Sequence, residues 1–201
     1  MPLNETVEIA IRMLICFALG SIPFAVLAMR GTGVNILKSG SGNPGFNNVL
    51  RFNKGRAVLT LLGDFGKGSL AIWLFHQPGD ASPIGWLYGF AVVLGHCYSP
   101  FLKFNGGKGI ATSGGVMLML YPMWAACALA FYTVMRITGS RRKWVEAGTI
   151  ASLGTWVVFT FLMFIVLGPK HAAGAALMTA FVAWRHKKNF QVLTGAVQPQ
   201  R

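Results

Sequence analysis

Three glycines surround one lysine in the stretch Gly106-Gly107-Lys108-Gly109, which joins two strongly apolar runs. Glycines let backbone N–H groups turn toward an anion, because no Cβ blocks the approach. A lysine in such a loop adds a mobile point charge that suits phosphate. The Gly-x4-Gly-Lys-[Ser/Thr] spacing of a nucleotide-binding P-loop is not met and no strand precedes the loop, so nucleotide hydrolysis is a poor reading. A lysine at a helix end can also simply snorkel to the interface. The glycines on both sides of Lys108 weigh against that. His96 lies about three turns earlier, inside an apolar run. It is either a packing residue with a satisfied hydrogen bond or a side chain turned toward the loop.

Three further clusters carry polar chemistry. Gly40, Ser41, Gly42, Asn43, Pro44 and Gly45 read as loop. Asn47, Asn48 and Arg51 after them can open a short helix whose N-terminal amides favour an anion. Taken alone, this segment reads rather as an ordinary interfacial loop with capping asparagines. Arg185, His186 and Asn189 follow the last apolar run. Basic residues there usually anchor a helix at the interface, but His186 and Asn189 are three apart and would share a helix face. Asp64 and Lys67 lie within an apolar run. Charges at such depth mark function or pair with each other, and the i, i+3 spacing allows the pair. Glu146 near a membrane end is explained by a salt bridge to Arg142 or Lys143.

The elements that must position these groups are membrane helices. Of the 201 residues, 54% are hydrophobic and 11% charged, against about 25% charged in soluble domains. A polytopic all-α integral membrane protein follows, as a single domain over 1–201. Apolar runs cover roughly 9–29, 57–76, 84–104, 109–135, 145–167 and 172–184. About 20 residues cross a bilayer core. Tyr121-Pro122 interrupts the long fourth run.

Charge parity decides how that run is read. Of the 18 Lys+Arg, only Arg12, Lys67 and Lys170 lie outside four clusters, at 30–56, 103–108, 136–143 and 185–201. Reading 109–135 as two short helices, 110–120 and 122–136, puts all four clusters on one face. Seven transmembrane helices result, two of them short, with the N-terminus outside and the C-terminus cytoplasmic. The connections 77–83 and 168–171 are then external, and 196–201 is a frayed end.

The net charge of +13 is accounted for by this positive-inside bias and an anionic substrate rather than by nucleic acid. Cys16, Cys97 and Cys127 give neither a disulfide framework nor metal-ligand spacing. No metal or cofactor is expected. The first apolar run lacks a basic leader and cleavage site, and reads as a retained helix.

The ordered set of motifs resembles the PlsY family, the bacterial acyl-phosphate:glycerol-3-phosphate acyltransferases. Gly20-Ser21-Ile22-Pro23-Phe24 is similar to that family's first-helix signature. Gly40 through Asn48 and Arg51 resembles its first motif, and Asp64-x-x-Lys67-Gly68 also fits. Gly95-His96 through Gly106-Gly107-Lys108-Gly109 to Thr112 resembles its second motif, and Arg185-His186-x-x-Asn189 its third. Order and spacing agree over nearly the whole chain.

The resemblance implies a reaction in which the sn-1 hydroxyl of glycerol 3-phosphate attacks a fatty acyl phosphate, giving lysophosphatidic acid and phosphate. It implies that Ser41, Arg51, Lys108, His186 and Asn189 hold the acceptor's phosphate. Gly40, Gly42, Asn43, Gly45, Asn48, Gly106, Gly107, Gly109 and Thr112 would form the loops around the acyl phosphate, with the acyl chain among apolar helices and membrane lipid. It implies an active site on the cytoplasmic face of the bacterial inner membrane. Lys108 is the leading catalytic candidate. His96 and Asp64 are candidate general bases, and the substrate's own phosphate is the alternative. An acyl phosphate is already an activated donor, so positioning and charge stabilisation can supply most of the acceleration.

The chain departs from the family pattern at Phe46-Asn47, usually alanine-threonine, and at Asn105, usually lysine. Val192 replaces an arginine, Ala196 and Gln198 replace a glycine and a glutamate, and Glu146 stands where serine is common. These changes leave room for an altered acceptor, for reduced activity, or for an inactive paralogue with a structural role. A membrane carrier for an organic phosphate is the competing class. It would be expected to show inverted repeats and broken helices at the midplane, and no paired halves are visible.

Overall fold

The structure, a computed structural model, describes residues 4–76 and 83–198. Most of the connection expected to be external at 77–83 lies outside the described residues, as does the end of the tail. Among the described residues the secondary structure is helical throughout. The helices are α1 (Glu5–Ser21), α2 (Phe24–Met29), α3 (Phe46–Val49), α4 (Lys54–Phe75), α5 (Pro83–Cys97), α6 (Ile110–Leu120), α7 (Pro122–Arg141), α8 (Ala147–Leu167), α9 (Pro169–Arg185) and α10 (Lys187–Leu193). A single 3-10 turn occupies Pro100–Leu102.

Prolines set several of these boundaries. Pro122 and Pro169 open α7 and α9 at the first turn, where a missing N–H has no cost. Pro23 stops α1, because its ring cannot donate the helical hydrogen bond. The expected break in the run 109–135 falls at Tyr121, whose backbone leaves the helical region at φ −139°, ψ 67°. The second of the two helices is not short. It continues to Arg141 rather than ending at 136, so part of the third basic cluster lies on helix rather than loop.

Among the described residues, three helical stretches are long and apolar enough to cross a bilayer: Glu5–Met29, Lys54–Phe75 and Ala147–Leu167. Helix α6 is apolar but has only 11 residues, about 16 Å of rise against a core of about 30 Å. The outward surface is hydrophobic. Leu14 is 69% exposed, Leu62 63% and Phe161 61%. Asp64, Lys67, His96, Ser99, Thr112 and His186 are buried instead. Polar groups inside and apolar groups outside suit a chain whose surroundings are hydrocarbon.

The chain forms two compact units, divided between Leu120 and Tyr121. In the first, α1 packs on α5 and α4 on α6, and glycines allow backbone to meet backbone. A Cβ on Gly95 would stand 2.0 Å from the Phe17 carbonyl oxygen, and one on Gly68 2.0 Å from that of Thr112. Small residues at such crossings let membrane helices approach closely. Helices α2 and α3 close over α4 around Ala25, Met29, Ile36, Val49 and Ala57. In the second unit α8 lies against α7 and α9, and a Thr160–Thr179 hydroxyl pair at 2.8 Å joins α8 to α9.

Candidate functional site

Asp64 and Lys67 stand one turn apart on α4 and pair, with Lys67 Nζ 2.8 Å from Asp64 Oδ1. The same oxygen lies 3.4 Å from His96 Nδ1 on α5. Lys67 also donates to the Ile22 carbonyl at 2.9 Å, and its ammonium lies 5.7 Å from the centre of the Phe24 ring. Pro23 explains this partner: the α1–α2 break leaves the Ile22 carbonyl accessible to a side chain. The cluster is out of solvent, at 3% exposure for Asp64, 4% for Lys67 and 8% for His96. A buried ion pair is sustained only when its remaining polar atoms are satisfied, and the Ile22 carbonyl and His96 do this here.

The lysine loop is fastened to the end of α5. Gly106 N–H donates to the Cys97 carbonyl at 3.0 Å and Gly107 N–H to the His96 carbonyl at 3.2 Å. Both amides are thus engaged within the protein. They cap the last turn of α5, whose carbonyls have no helical partners. Gly107 also packs on the His96 ring, where a Cβ would fall 2.2 Å from Nε2. Ser99 Oγ donates to the Ser21 carbonyl at 2.6 Å, tying the loop's start to the α1–α2 break. Lys103 and Phe104 both take left-handed backbone, at φ 51° and 61°. Lys108 follows, half-buried, and Gly109 turns the chain into α6 at φ +87°. Thr112 lies in the first turn of α6. Its hydroxyl is fully buried and has no hydrogen-bond partner among the described residues.

The loop at 39–45 is organised by Asn48. Its Oδ1 accepts from Ser41 N–H at 2.9 Å, and its Nδ2 donates to the Ile36 and Ser39 carbonyls at 3.1 and 3.0 Å. Gly40 and Gly42 have φ of +59° and +66°. At Gly40 a Cβ would also meet Asn48 Oδ1 at 2.3 Å. Asn48 thus shapes this loop, and its amide is committed to backbone. Asn43 and Gly45 are half-buried in the same loop. The expected helix opened by Asn47, Asn48 and Arg51 is one turn, Phe46–Val49, and stops before Arg51. Ser41 and Arg51 are both exposed.

His186 and Asn189 belong to the second unit. His186 ends α9 and precedes α10, so the two share a junction rather than one continuous helix. Asn189 N–H donates to the His186 carbonyl at 2.8 Å. His186 is 4% exposed, and its Nδ1 lies 2.7 Å from the Val182 carbonyl oxygen. A carbonyl only accepts, so Nδ1 carries a proton, and Nε2 donates only in the imidazolium form. Asn189 Nδ2 donates to Glu146 Oε2, which also accepts from Thr149 Oγ1 at 2.7 Å. The expected partners Arg142 and Lys143 are not those of Glu146.

The structure thus joins Asp64 to His96, Ser41 to Asn48, Lys108 to the turn that carries Thr112, and His186 to Asn189. Sequence reading passed over Ser99 and Thr149. Ser99 stands directly before Pro100 at the end of an apolar run, a position that marks a turn, but nothing there signals Ser21 as its partner.

The profile of the glycerol-3-phosphate acyltransferase family matches residues 10–195. The chain is 38% identical over 193 residues to a glycerol-3-phosphate acyltransferase of Laribacter hongkongensis, covering 92% of each. It is 33% identical to glycerol-3-phosphate acyltransferase 1 of Deinococcus radiodurans, covering 96% of each. Its fold is similar to the crystal structure of PlsY, an integral membrane glycerol 3-phosphate acyltransferase, in its glycerol 3-phosphate form. That match has a TM-score of 0.80 and 29% identity over 96% of this chain and 95% of that one. The lysophosphatidic acid form of PlsY matches with a TM-score of 0.78.

Proposed function

The chain belongs to the glycerol-3-phosphate acyltransferase family, and from that premise we propose that it moves a fatty acyl group from acyl phosphate to the sn-1 hydroxyl of glycerol 3-phosphate. The observation that carries this reading is the likeness to PlsY in two forms, with glycerol 3-phosphate and with lysophosphatidic acid. The two ligands differ by one acyl group, so they are an acceptor and its product.

The acceptor oxygen attacks the acyl carbonyl carbon, a C–O bond to that carbon forms, and the bond from the carbon to the phosphate oxygen breaks. The hydroxyl proton goes to phosphate. Lysophosphatidic acid and inorganic phosphate leave. Phosphate is the preferred proton acceptor because both candidate side chains are otherwise engaged. Asp64 Oδ1 serves Lys67 and His96, and His96 Nε2 is covered by Gly107. Asp64 and His96 act as positioning residues: they hold the α5 end to which the lysine loop is bonded.

Ser41, Arg51, Lys108, His186 and Asn189 carry the acceptor's phosphate, a role supported by their motif positions. With Gly106 and Gly107 engaged on α5, donors for the acyl phosphate come from the first turn of α6. There Gly109 opens the turn, helical amides lack intrahelical partners, and the Thr112 hydroxyl has bonding capacity left. Gly40, Gly42, Asn43, Gly45 and Asn48 shape the other loop assigned to the acyl phosphate. The chain works as one membrane domain of seven spans. Its N-terminus is outside, and its site opens to the cytoplasmic side of the inner membrane, a topology supported by the one-sided basic clusters.

The test is direct. Purified protein receives palmitoyl phosphate and glycerol 3-phosphate, and lysophosphatidate and free phosphate are measured. Equal release of both supports the reading. Activity with acyl-CoA or acyl carrier protein and none with acyl phosphate refutes the donor assignment.

A further inference from the structure

Glu146 is an anion fixed beside a residue assigned to bind an anion. Its left-handed backbone, at φ 56° and ψ 34°, stands directly before α8. The first turn of α8 supplies Thr149, whose hydroxyl donates to Oε2 at 2.7 Å. Asn189 donates Nδ2 to that same oxygen from α10. A carboxylate only accepts, so the orientation of the Asn189 amide is determined: its NH2 side faces Glu146. One N–H of Asn189 is therefore directed at a protein carboxylate. The side chain is half-buried, where solvent screens its charge less than at an open surface.

We propose that Glu146 is a specificity-determining residue for the acceptor: its carboxylate, held by Asn189 and Thr149, weakens binding of the phosphate of glycerol 3-phosphate. This rests on the reading that Asn189 contacts that phosphate. Two effects act in the same direction. The carboxylate engages a donor that phosphate would otherwise use, and it places like charge next to an incoming dianion. Basic residues in the site offset this, so the enzyme binds its acceptor but with reduced affinity. The consequence is a sharper response to acceptor concentration and to salt than a neutral residue at 146 would give.

The geometry supplies a clean test. Both bonds fall on one oxygen, Oε2, so Glu146→Gln can keep both through its amide oxygen while removing the charge. Purified full-length protein is assayed with palmitoyl phosphate and varied glycerol 3-phosphate, with inorganic phosphate as a competing probe. Glu146→Gln is expected to lower KM for glycerol 3-phosphate and the inhibition constant of phosphate by about five- to tenfold, with a smaller change in kcat. The gain shrinks in high salt, as screening of like charges requires. Glu146→Asp, which keeps the charge, shows no such gain.

A KM for Glu146→Gln that is unchanged or raised, in protein that unfolds at the wild-type temperature, overturns the proposal. Asn189→Ala tests the underlying reading separately. If it raises KM at least tenfold while Glu146→Gln brings no tightening, the phosphate reading stands and the role of Glu146 fails. If Asn189→Ala leaves KM unchanged, the phosphate reading of Asn189 fails. A salt-sensitive gain from Glu146→Gln would then still support a charge effect on the acceptor, and absence of the gain would dismiss both.

Discussion

Asp64 in the first unit and Glu146 in the second are both carboxylates, and the protein treats them in opposite ways. Asp64 is 3% exposed and shares one oxygen between a lysine and a histidine. Glu146 is half-buried, and its partners are an asparagine and a threonine. The first cluster resolves its charge internally and joins three parts of the first unit: α4, α5 and the α1–α2 break. The second keeps its charge and adds it to the field of a neighbouring polar side chain. An acid closed into an ion pair is a fastening, whereas an acid bonded to neutral groups remains available to influence a ligand.

Breaking the fastening is expected to have the largest effect. Lys67→Met leaves a buried carboxylate without its main counter-charge and should cost about 3–5 kcal/mol of stability. Asp64→Leu should cost a similar amount. The double change Asp64→Leu with Lys67→Met should cost less than the two single changes added together, because neither partner is left charged and alone. Denaturant unfolding in detergent micelles checks this. At Glu146 the same measurement should move by no more than about 0.5 kcal/mol for Glu146→Gln. Equal losses at the two sites would erase the distinction drawn here.

Glycines that permit the fastening come next. Gly68→Ala and Gly107→Ala would place a methyl 2.0 Å from the Thr112 carbonyl oxygen and 2.2 Å from His96 Nε2. Forced separation there should cost about 1–3 kcal/mol and reduce activity along with stability. Gly66 lies two positions before Gly68 on the same helix, and its Cβ position has no neighbour within 4 Å. Gly66→Ala should be neutral or gain up to about 1 kcal/mol. Thermal unfolding of the three variants separates close approach from helix propensity.

Lys108, the half-buried cation of the glycine loop, is the next test. Lys108→Ala should lower kcat/KM for glycerol 3-phosphate on the order of ten- to a hundredfold, through both KM and kcat, as loss of a charged hydrogen bond requires. Unchanged kinetics would remove Lys108 from the site.

Much of this arrangement was legible in the chain, and the part that was not has a common cause. Tyr121-Pro122 gave the helix break because proline acts locally. The i, i+3 spacing of Asp64 and Lys67 announced their pairing because a helix turn is local too. The tie from Lys67 to Ile22 spans 45 residues and that from Ser99 to Ser21 spans 78. No periodicity encodes such contacts; the first follows from α4 packing against α1 and α2, the second from α1 and α5 meeting through Gly20 and Gly95. The fastening of the glycine loop escaped the sequence for a related reason. Glycine permits an amide to face an anion, but the end of α5 leaves carbonyls that need donors, and Gly106 and Gly107 are the nearest. Glu146 was assigned to its basic sequence neighbours, yet its observed partner Asn189 lies 43 positions away.

Thr112 sharpens the contrast at the smallest scale, because its hydroxyl is buried like Asp64 yet lacks a hydrogen-bond partner among the described residues. A buried hydroxyl without a bond is unfavourable to the folded protein. Thr112→Val removes that penalty while keeping the branched shape, so stability should be equal to or slightly above the wild type. If the hydroxyl serves the acyl phosphate, the same change forfeits one hydrogen bond. The kcat/KM for palmitoyl phosphate should then fall by about two- to tenfold, with KM for glycerol 3-phosphate nearly unchanged. A stability gain with a donor-specific loss of activity is a combination that a packing role does not produce. A variant that loses stability and handles both substrates equally badly would make Thr112 part of the fastening, on the same side of the comparison as Asp64.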